Sequence, residues 1–184
     1  SGLPVKSADL GNGARLHSRA MNGTLTPRLG NLAGFLVSAG LMAYALFAQY
    51  GLGLEPCPLC VFQRVAVIAV GGVFLLAFLH GPGVVGLRVY GVLAALAGLL
   101  GVSVAGRHVW LQNLPPDQVP ACGPGLDFML DTFGIGEVVG MVLSGSGECA
   151  DVAWSFLGLS MPAWVLISCA GLTAWAVWNN WRGV

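Results

Sequence analysis

Two cysteines stand three positions apart in the stretch Glu55 to Arg64, EPCPLCVFQR. A C-x-x-C pair can hold a metal, staple a turn or pass electrons. Pro56 and Pro58 bracket Cys57, and proline suits the first position of a helix, so Pro58 is predicted at N1 with Cys57 as the cap. Cys60 then falls at N3, where unpaired backbone N–H groups and the positive end of the helix dipole favour a thiolate. Arg64 follows at i+4 on the same face, and its permanent cation stabilises that thiolate further. An arginine at the edge of hydrocarbon can also snorkel to headgroups. The sharper reading is that Arg64 serves both the thiolate and a polar, lipid-soluble ligand such as a quinone, whose carbonyls accept hydrogen bonds.

A second pair, Cys122 and Cys149, lies in a segment of almost fifty residues from His108 to Trp154. That is too long for a mere connector. Cys122 sits in QVPACGPGL, where prolines and glycines forbid regular structure and leave an extended strand able to lie in a partner's groove. Cys149 sits in SGSGECA, whose glycines permit motion. Between them Ile135, Val138, Val139 and Val142 recur at helical spacing. They predict a short helix, either at the membrane surface or buried in a folded loop.

These residues must be held by something, and the composition says what. Of 184 residues 56% are hydrophobic and 9% charged, with a mean hydropathy of +0.79, against about 25% charged in an ordinary soluble domain. Uncharged runs near twenty residues recur, the length of helix that crosses ~30 Å of hydrocarbon. The prediction is an all-α integral membrane protein, a four-helix bundle with helices at about 29–50, 60–79, 88–106 and 157–178. Two outer loops fall at about 51–59 and 107–156. Residues 29–184 form one membrane domain, and 1–28 a cytoplasmic N-terminal segment. Residues 1–20 are polar and Gly-rich and read as an extension, with Met21 a candidate native start. The first apolar run is of membrane length, so it is read as a retained helix and not a signal peptide.

Orientation follows from the basic residues. Lys6, Arg15, Arg19, Arg28, Arg88 and Arg182 share one side with a single acid, Asp9, whereas the other side has Arg64 and Arg107. Without residues 1–20 the count is three against two. By the positive-inside rule the first side is cytoplasmic. Four cysteines then face the opposite, oxidising compartment, where disulfides persist. Cys169 falls inside the fourth helix as a small packing residue. The sequon at Asn22 would lie on the cytoplasmic side, and Gly30 and Gly34 make a GxxxG packing signal.

Several functions fit poorly. Haem would need histidines within the bundle, and only His108 is near the outer face. A transporter or channel would bury charge in its helices, and none of the four cores carries any. For the outer cysteines three explanations compete. Structural zinc usually takes two close pairs, yet Cys122 and Cys149 are 27 positions apart. Inert bridges would suit an extracytoplasmic loop, but C-x-x-C at a helix start is the arrangement that makes thiols reactive. Redox exchange is the reading adopted, with a non-catalytic zinc-binding or disulfide-stapled membrane module as the alternative.

PCPLCVFQR resembles the first-loop motif of the DsbB family of bacterial inner-membrane disulfide-bond formation proteins. ECADVAWSFLGLSMPAW is similar to the stretch that carries that family's last cysteine into its last helix. The resemblance spans about Leu29 to Trp178 and argues against a vitamin-K-epoxide-reductase-like enzyme, which shares the bundle and C-x-x-C logic. It implies a protein-dithiol:quinone oxidoreductase of the inner membrane, with cytoplasmic termini and periplasmic cysteine loops. Its partners would be a DsbA-type periplasmic thiol oxidase, ubiquinone or menaquinone, and the lipid bilayer, with no nucleic acid. Cys122 would be attacked by the reduced oxidase, with Cys149 as its partner. Cys57 would bridge transiently to Cys149, and Cys60 would face the quinone in a thiolate adduct or charge-transfer complex stabilised by Arg64. His108 would match a family histidine near the quinone. Re-oxidising a strongly oxidising thiol protein needs a still stronger acceptor, since each ~30 mV of mismatch in a two-electron step costs about 1.4 kcal/mol.

Overall fold

The computed structural model describes residues 26–123 and 125–182. The expectations for the N-terminal extension, the Met21 start and the Asn22 sequon fall outside them. Four helices are long and apolar enough to cross a membrane: α1 Pro27–Gly51, α2 Pro58–His80, α3 Val84–Gln112 and α6 Met161–Trp181. Three of them open on proline, at Pro27, Pro58 and Pro162, and α1 is also capped by Thr26, whose Oγ1 accepts from Leu29 N at 3.4 Å. α2 stops at Gly81, whose left-handed φ of 55° lets the chain reverse into Pro82 and α3. Large apolar side chains such as Leu36, Val65 and Leu100 point outward and stay exposed. In water such a surface would aggregate; in lipid it is ordinary.

α3 packs most extensively on α6 and then on α2, while α1 rests on α2. Small residues allow that closeness. A Cβ on Gly98 would lie 2.2 Å from Thr173 Oγ1, and one on Gly101 would lie 2.8 Å from Cys169 Sγ. Cys169 is fully buried there, as a packing residue would be. The Gly30/Gly34 motif is used similarly, Gly34 lying under the Phe74 ring and Gly30 against Asn179.

Buried asparagines tie α1 to α6 at the end of the bundle away from the cysteine pair. Asn31 Nδ2 donates to Asn180 Oδ1 at 3.1 Å, Asn179 Nδ2 to the Pro27 carbonyl at 2.9 Å, and Trp175 Nε1 to the Gly30 carbonyl at 2.9 Å. Replacing Asn31 by alanine strands the Asn180 oxygen, so the variant should lose about 1 kcal/mol. Thermal unfolding in detergent measures this, and an unchanged midpoint would show that the network adds no net stability.

Two boundaries differ from the sequence expectation. Helix α3 runs over Val84–Gln112 and not 88–106, because a charge marks the end of a membrane crossing and not the end of a helix. Arg107 stays helical by donating to the carbonyls of Leu143 and Ser144 at 3.1 and 2.9 Å and stacking 4.2 Å over Trp110. At 29 residues, α3 is ~44 Å long and its last turns outrun the hydrocarbon. Helix α6 begins at Met161 and not near 157, since Ser155–Phe156 and Leu159–Ser160 pair as β1 and β2 of a small hairpin. The long connection holds two helices where one was expected, α4 Leu126–Thr132 and α5 Ile135–Ser144. Seven residues are too few for α4 to show a period. Val138 and Val142 of α5 are buried with Leu59, Leu111 and Met129 over the ends of α2 and α3.

Candidate active site

Cys57 is the N-cap of α2 with Pro58 at N1, and its thiol makes no capping bond. It turns instead toward Cys60 one turn on, with the sulfurs 3.0 Å apart. Across the bundle, the extra turns of α3 bring His108 to this pair. His108 Nε2 lies 3.8 Å from Cys57 Sγ, and its Nδ1 lies 3.0 Å from Gln63 Nε2. Both His108 and Gln63 are buried, at 2% and 3% exposure. Where the Gln63 amide donates to Nδ1, an Nε2 proton faces the Cys57 sulfur; with the amide turned over, Oε1 accepts from Nδ1–H and Nε2 presents its lone pair.

The second pair approaches from the long connection. Cys149 ends a 3-10 turn, Gly147–Cys149, and is 1% exposed. Its thiol is held well above the ordinary range, first by the hydrogen bond to Cys57 and then by burial. Ser146 Oγ lies 3.6 Å from its sulfur. Cys122 is exposed on the other side of the same turn. Gly147 N donates to Ala121 O at 3.3 Å, and a Cβ on Gly147 would meet Cys122 Sγ at 3.1 Å. The sulfurs therefore run in order from an exposed Cys122, through a buried Cys149, to Cys57 and Cys60. All of them are free thiols here.

A raised thiol keeps its proton at neutral pH, so in the reduced protein Cys149 should alkylate far more slowly than Cys122. Its rate should climb about tenfold per pH unit between roughly pH 7 and 9 as the thiolate fraction grows. Peptide mapping after iodoacetamide pulses measures this. A flat profile for Cys149 would show that its proton is not held.

Cys60, Gln63, Arg64 and His108 line a cavity of about 520 Å³ together with Tyr44 and Trp154. Aromatic rings continue from there in a chain, with centroids 6.0 Å apart for Tyr44 and Trp154, 6.1 Å for Trp154 and Phe156 and 6.2 Å for Phe156 and Trp164. Trp164 Nε1 donates to the Phe156 carbonyl at 3.1 Å and pins the hairpin to α6. Arg64 is half-buried and tied inward, donating from Nη1 to Gln49 Oε1 and from Nη2 to the Ala45 carbonyl at 3.2 Å. Those bonds hold it on α1 and at the cavity. The structure thus gathers Cys57, Cys60, Cys149, Arg64 and His108, and leaves Cys122 at the surface. Sequence reasoning missed Gln49 and Gln63. Their signal was available, since a glutamine in an otherwise apolar helix needs a partner as an arginine does.

The four outer cysteines do not converge on one point as a four-sulfur zinc site would. The metal-capable grouping among the described residues is Cys57, Cys60 and His108.

The family model described as disulfide bond formation protein DsbB matches residues 27–179. The chain belongs to the DsbB family. Curated relatives named disulfide bond formation protein B agree. That of Nitrosococcus oceani is 52% identical over 149 residues, 81% of this chain and 88% of the relative. That of Methylococcus capsulatus is 53% identical over 151 residues, 82% and 92% respectively. That of Chromobacterium violaceum is 52% identical over 154 residues, 84% and 93%. Membership makes this a disulfide bond formation protein, an oxidoreductase in that general sense, on a four-helix membrane fold. The DsbB match covers three of the membrane-capable helices in full and α6 as far as Asn179, with both cysteine pairs, Arg64 and His108.

Proposed function

We propose that this DsbB-family chain re-oxidises a DsbA-type periplasmic thiol oxidase and passes the electrons through its two cysteine pairs to a quinone of the bacterial inner membrane. The observation that carries this reading is the packing of Cys57 against the buried cluster that contains Cys149, with Cys60 opening on a cavity. In the oxidised enzyme a thiolate of the reduced partner attacks Cys122 of a Cys122–Cys149 disulfide, giving a mixed disulfide and a Cys149 thiolate. Cys149 attacks Cys57 of the Cys57–Cys60 disulfide, and Cys60 leaves as a thiolate. The partner's second thiol then releases oxidised partner and frees Cys122, which attacks Cys149 and restores the outer bridge. Two electrons and two protons have moved from the partner dithiol to Cys57 and Cys60.

The cavity suits a quinone ring by size, about 520 Å³ within the ~300–1,000 Å³ of small-molecule sites, and by lining. Aromatic faces supply stacking, while Arg64, with N–H groups beyond those that bond Gln49 and Ala45, supplies hydrogen-bond donors to a carbonyl oxygen, and His108 lies in the same lining. A bound quinone would take up the two electrons and two protons. His108, facing the Cys57 sulfur with Gln63 behind it, holds a proton beside the pair that must give one up. Arg64 keeps negative charge favourable at the cavity wall whether it resides on sulfur or on oxygen.

The test is anaerobic quinone reduction by the detergent-purified chain, supplied with a reduced DsbA-type partner and either ubiquinone or menaquinone. Rapid turnover lost in Cys122→Ser supports the relay. Absence of turnover with both quinones overturns it. Arg64→Ala should weaken apparent quinone affinity by about ten- to hundredfold, the ~1.5–3 kcal/mol of a hydrogen bond from a charged donor. An unchanged affinity would return Arg64 to tying α2 to α1 only.

A further inference from the structure

We propose that the reduced Cys57/Cys60 pair, completed by His108, binds a thiophilic divalent cation of the zinc type, and that the bound cation arrests the enzyme in its reduced state. The arrest rests on the redox reading above; the binding site does not.

The ligand set is two sulfurs and one imidazole nitrogen, the donors zinc prefers. Tetrahedral ligands at zinc–sulfur and zinc–nitrogen bond lengths lie roughly 3.6–3.8 Å apart. The two sulfurs here are 3.0 Å apart, Cys57 Sγ and His108 Nε2 are 3.8 Å apart, and all three ligand atoms lie within 4.8 Å of one another. Movements of about an ångström by two thiols, each free to rotate about its own Cα–Cβ bond, give the coordination geometry. Cys149, already against Cys57, or a water can fill the fourth place.

The support behind the ligands is also present. A metal-bound His108 Nε2 must carry its proton on Nδ1, and ligating histidines usually donate that proton to a second group. Gln63 is in place for it at 3.0 Å. Turning its amide over presents Oε1 to Nδ1–H without moving the backbone. Cys57 and Cys60 are half-buried and open on the cavity, which gives the ion a way in. Binding displaces one proton from each thiol and transfers no electrons. The oxidised pair, a disulfide, offers no thiolate, so the site exists only after the enzyme has taken electrons. A cation held there withdraws the sulfur lone pairs that quinone reduction requires.

The experiment uses the full chain in detergent, reduced with a phosphine, freed of reductant anaerobically and titrated with Co²⁺ as a spectroscopic stand-in. The expected result is one ion per chain, with thiolate-to-cobalt charge-transfer absorption that Zn²⁺ abolishes. The absorption should be absent from oxidised protein and from Cys60→Ser. Gln63→Leu should weaken binding by about ten- to hundredfold, whereas Gln63→Glu should retain it. No charge-transfer band, or an equal band in Cys60→Ser, overturns the site.

Arrest is read separately, in a single turnover of pre-reduced chain with added quinone and no thiol partner. Zinc should stop quinone bleaching and a chelator should restore it. Bleaching unaffected by bound zinc overturns the arrest. Bleaching without any cobalt band sinks the metal site and leaves the redox function standing. A band in a chain that never reduces quinone keeps the site and sinks the redox reading.

Discussion

Cys60→Ser is expected to lower quinone reduction by roughly three orders of magnitude or more while leaving the Cys122–Cys149 bridge able to form. Serine matches cysteine in shape, so the Pro58 start of α2 and its packing survive. What disappears is the sulfur that must leave as a thiolate when Cys149 attacks Cys57, and that faces the cavity beside Arg64. A hydroxyl has neither the acidity nor the redox chemistry to replace it. The measurement is quinone absorbance under anaerobic conditions with reduced DsbA-type partner, together with non-reducing mapping of the outer bridge. Turnover equal to that of the intact chain would sink the mechanism.

Cys149→Ser should give an equally large loss with the protein partner but a different pattern with a small dithiol. Cys149 is the buried sulfur between the exposed Cys122 and Cys57. Without it Cys122 has no disulfide to offer and Cys57 receives no attack from the long connection. A small dithiol can reach the half-buried Cys57 directly, so quinone reduction driven by dithiothreitol should persist in Cys149→Ser and vanish in Cys60→Ser. If both variants lose the small-dithiol reaction, the outer pair is not an upstream relay. If Cys149→Ser alone keeps the partner-driven reaction, the partner reaches Cys57 without the outer pair. The contrast separates the roles because each variant breaks a different link while both preserve the helix that holds the C-x-x-C.

Much of this was legible in the chain itself, for a physical reason. Hydrocarbon offers no partner to a backbone polar group, so a span must be a continuous apolar helix of about twenty residues. Such runs are visible in composition alone, as was the start of α2, because Pro58 fixes its own backbone angle and lacks the N–H that a first turn leaves unpaired. Cys57 as cap, Cys60 one turn on and Arg64 one turn further are therefore local facts. The helix ends were less legible. Arg107 and Ser155–Ser160 depart from the hydropathy boundary because their partners, the Leu143 and Ser144 carbonyls and the facing strand, lie elsewhere in the chain.

The site is where tertiary structure decided. His108 meets Cys57 across 51 positions and Gln63 across 45, and only the phase of α3 against α2, set by close contacts such as Gly101 on Cys169 and Ala66, turns the imidazole to the sulfur. Cys149 reaches Cys57 because the long connection folds its Met129, Val138 and Val142 down on Leu59 and Leu111. Spacing along the chain carries no information about such contacts. The sequence alone determined that four membrane helices carry a reactive thiol pair at one end. Packing between helices, which depends on side-chain shape at distant positions and not on local periodicity, decided which histidine, which glutamine and which third sulfur stand beside it.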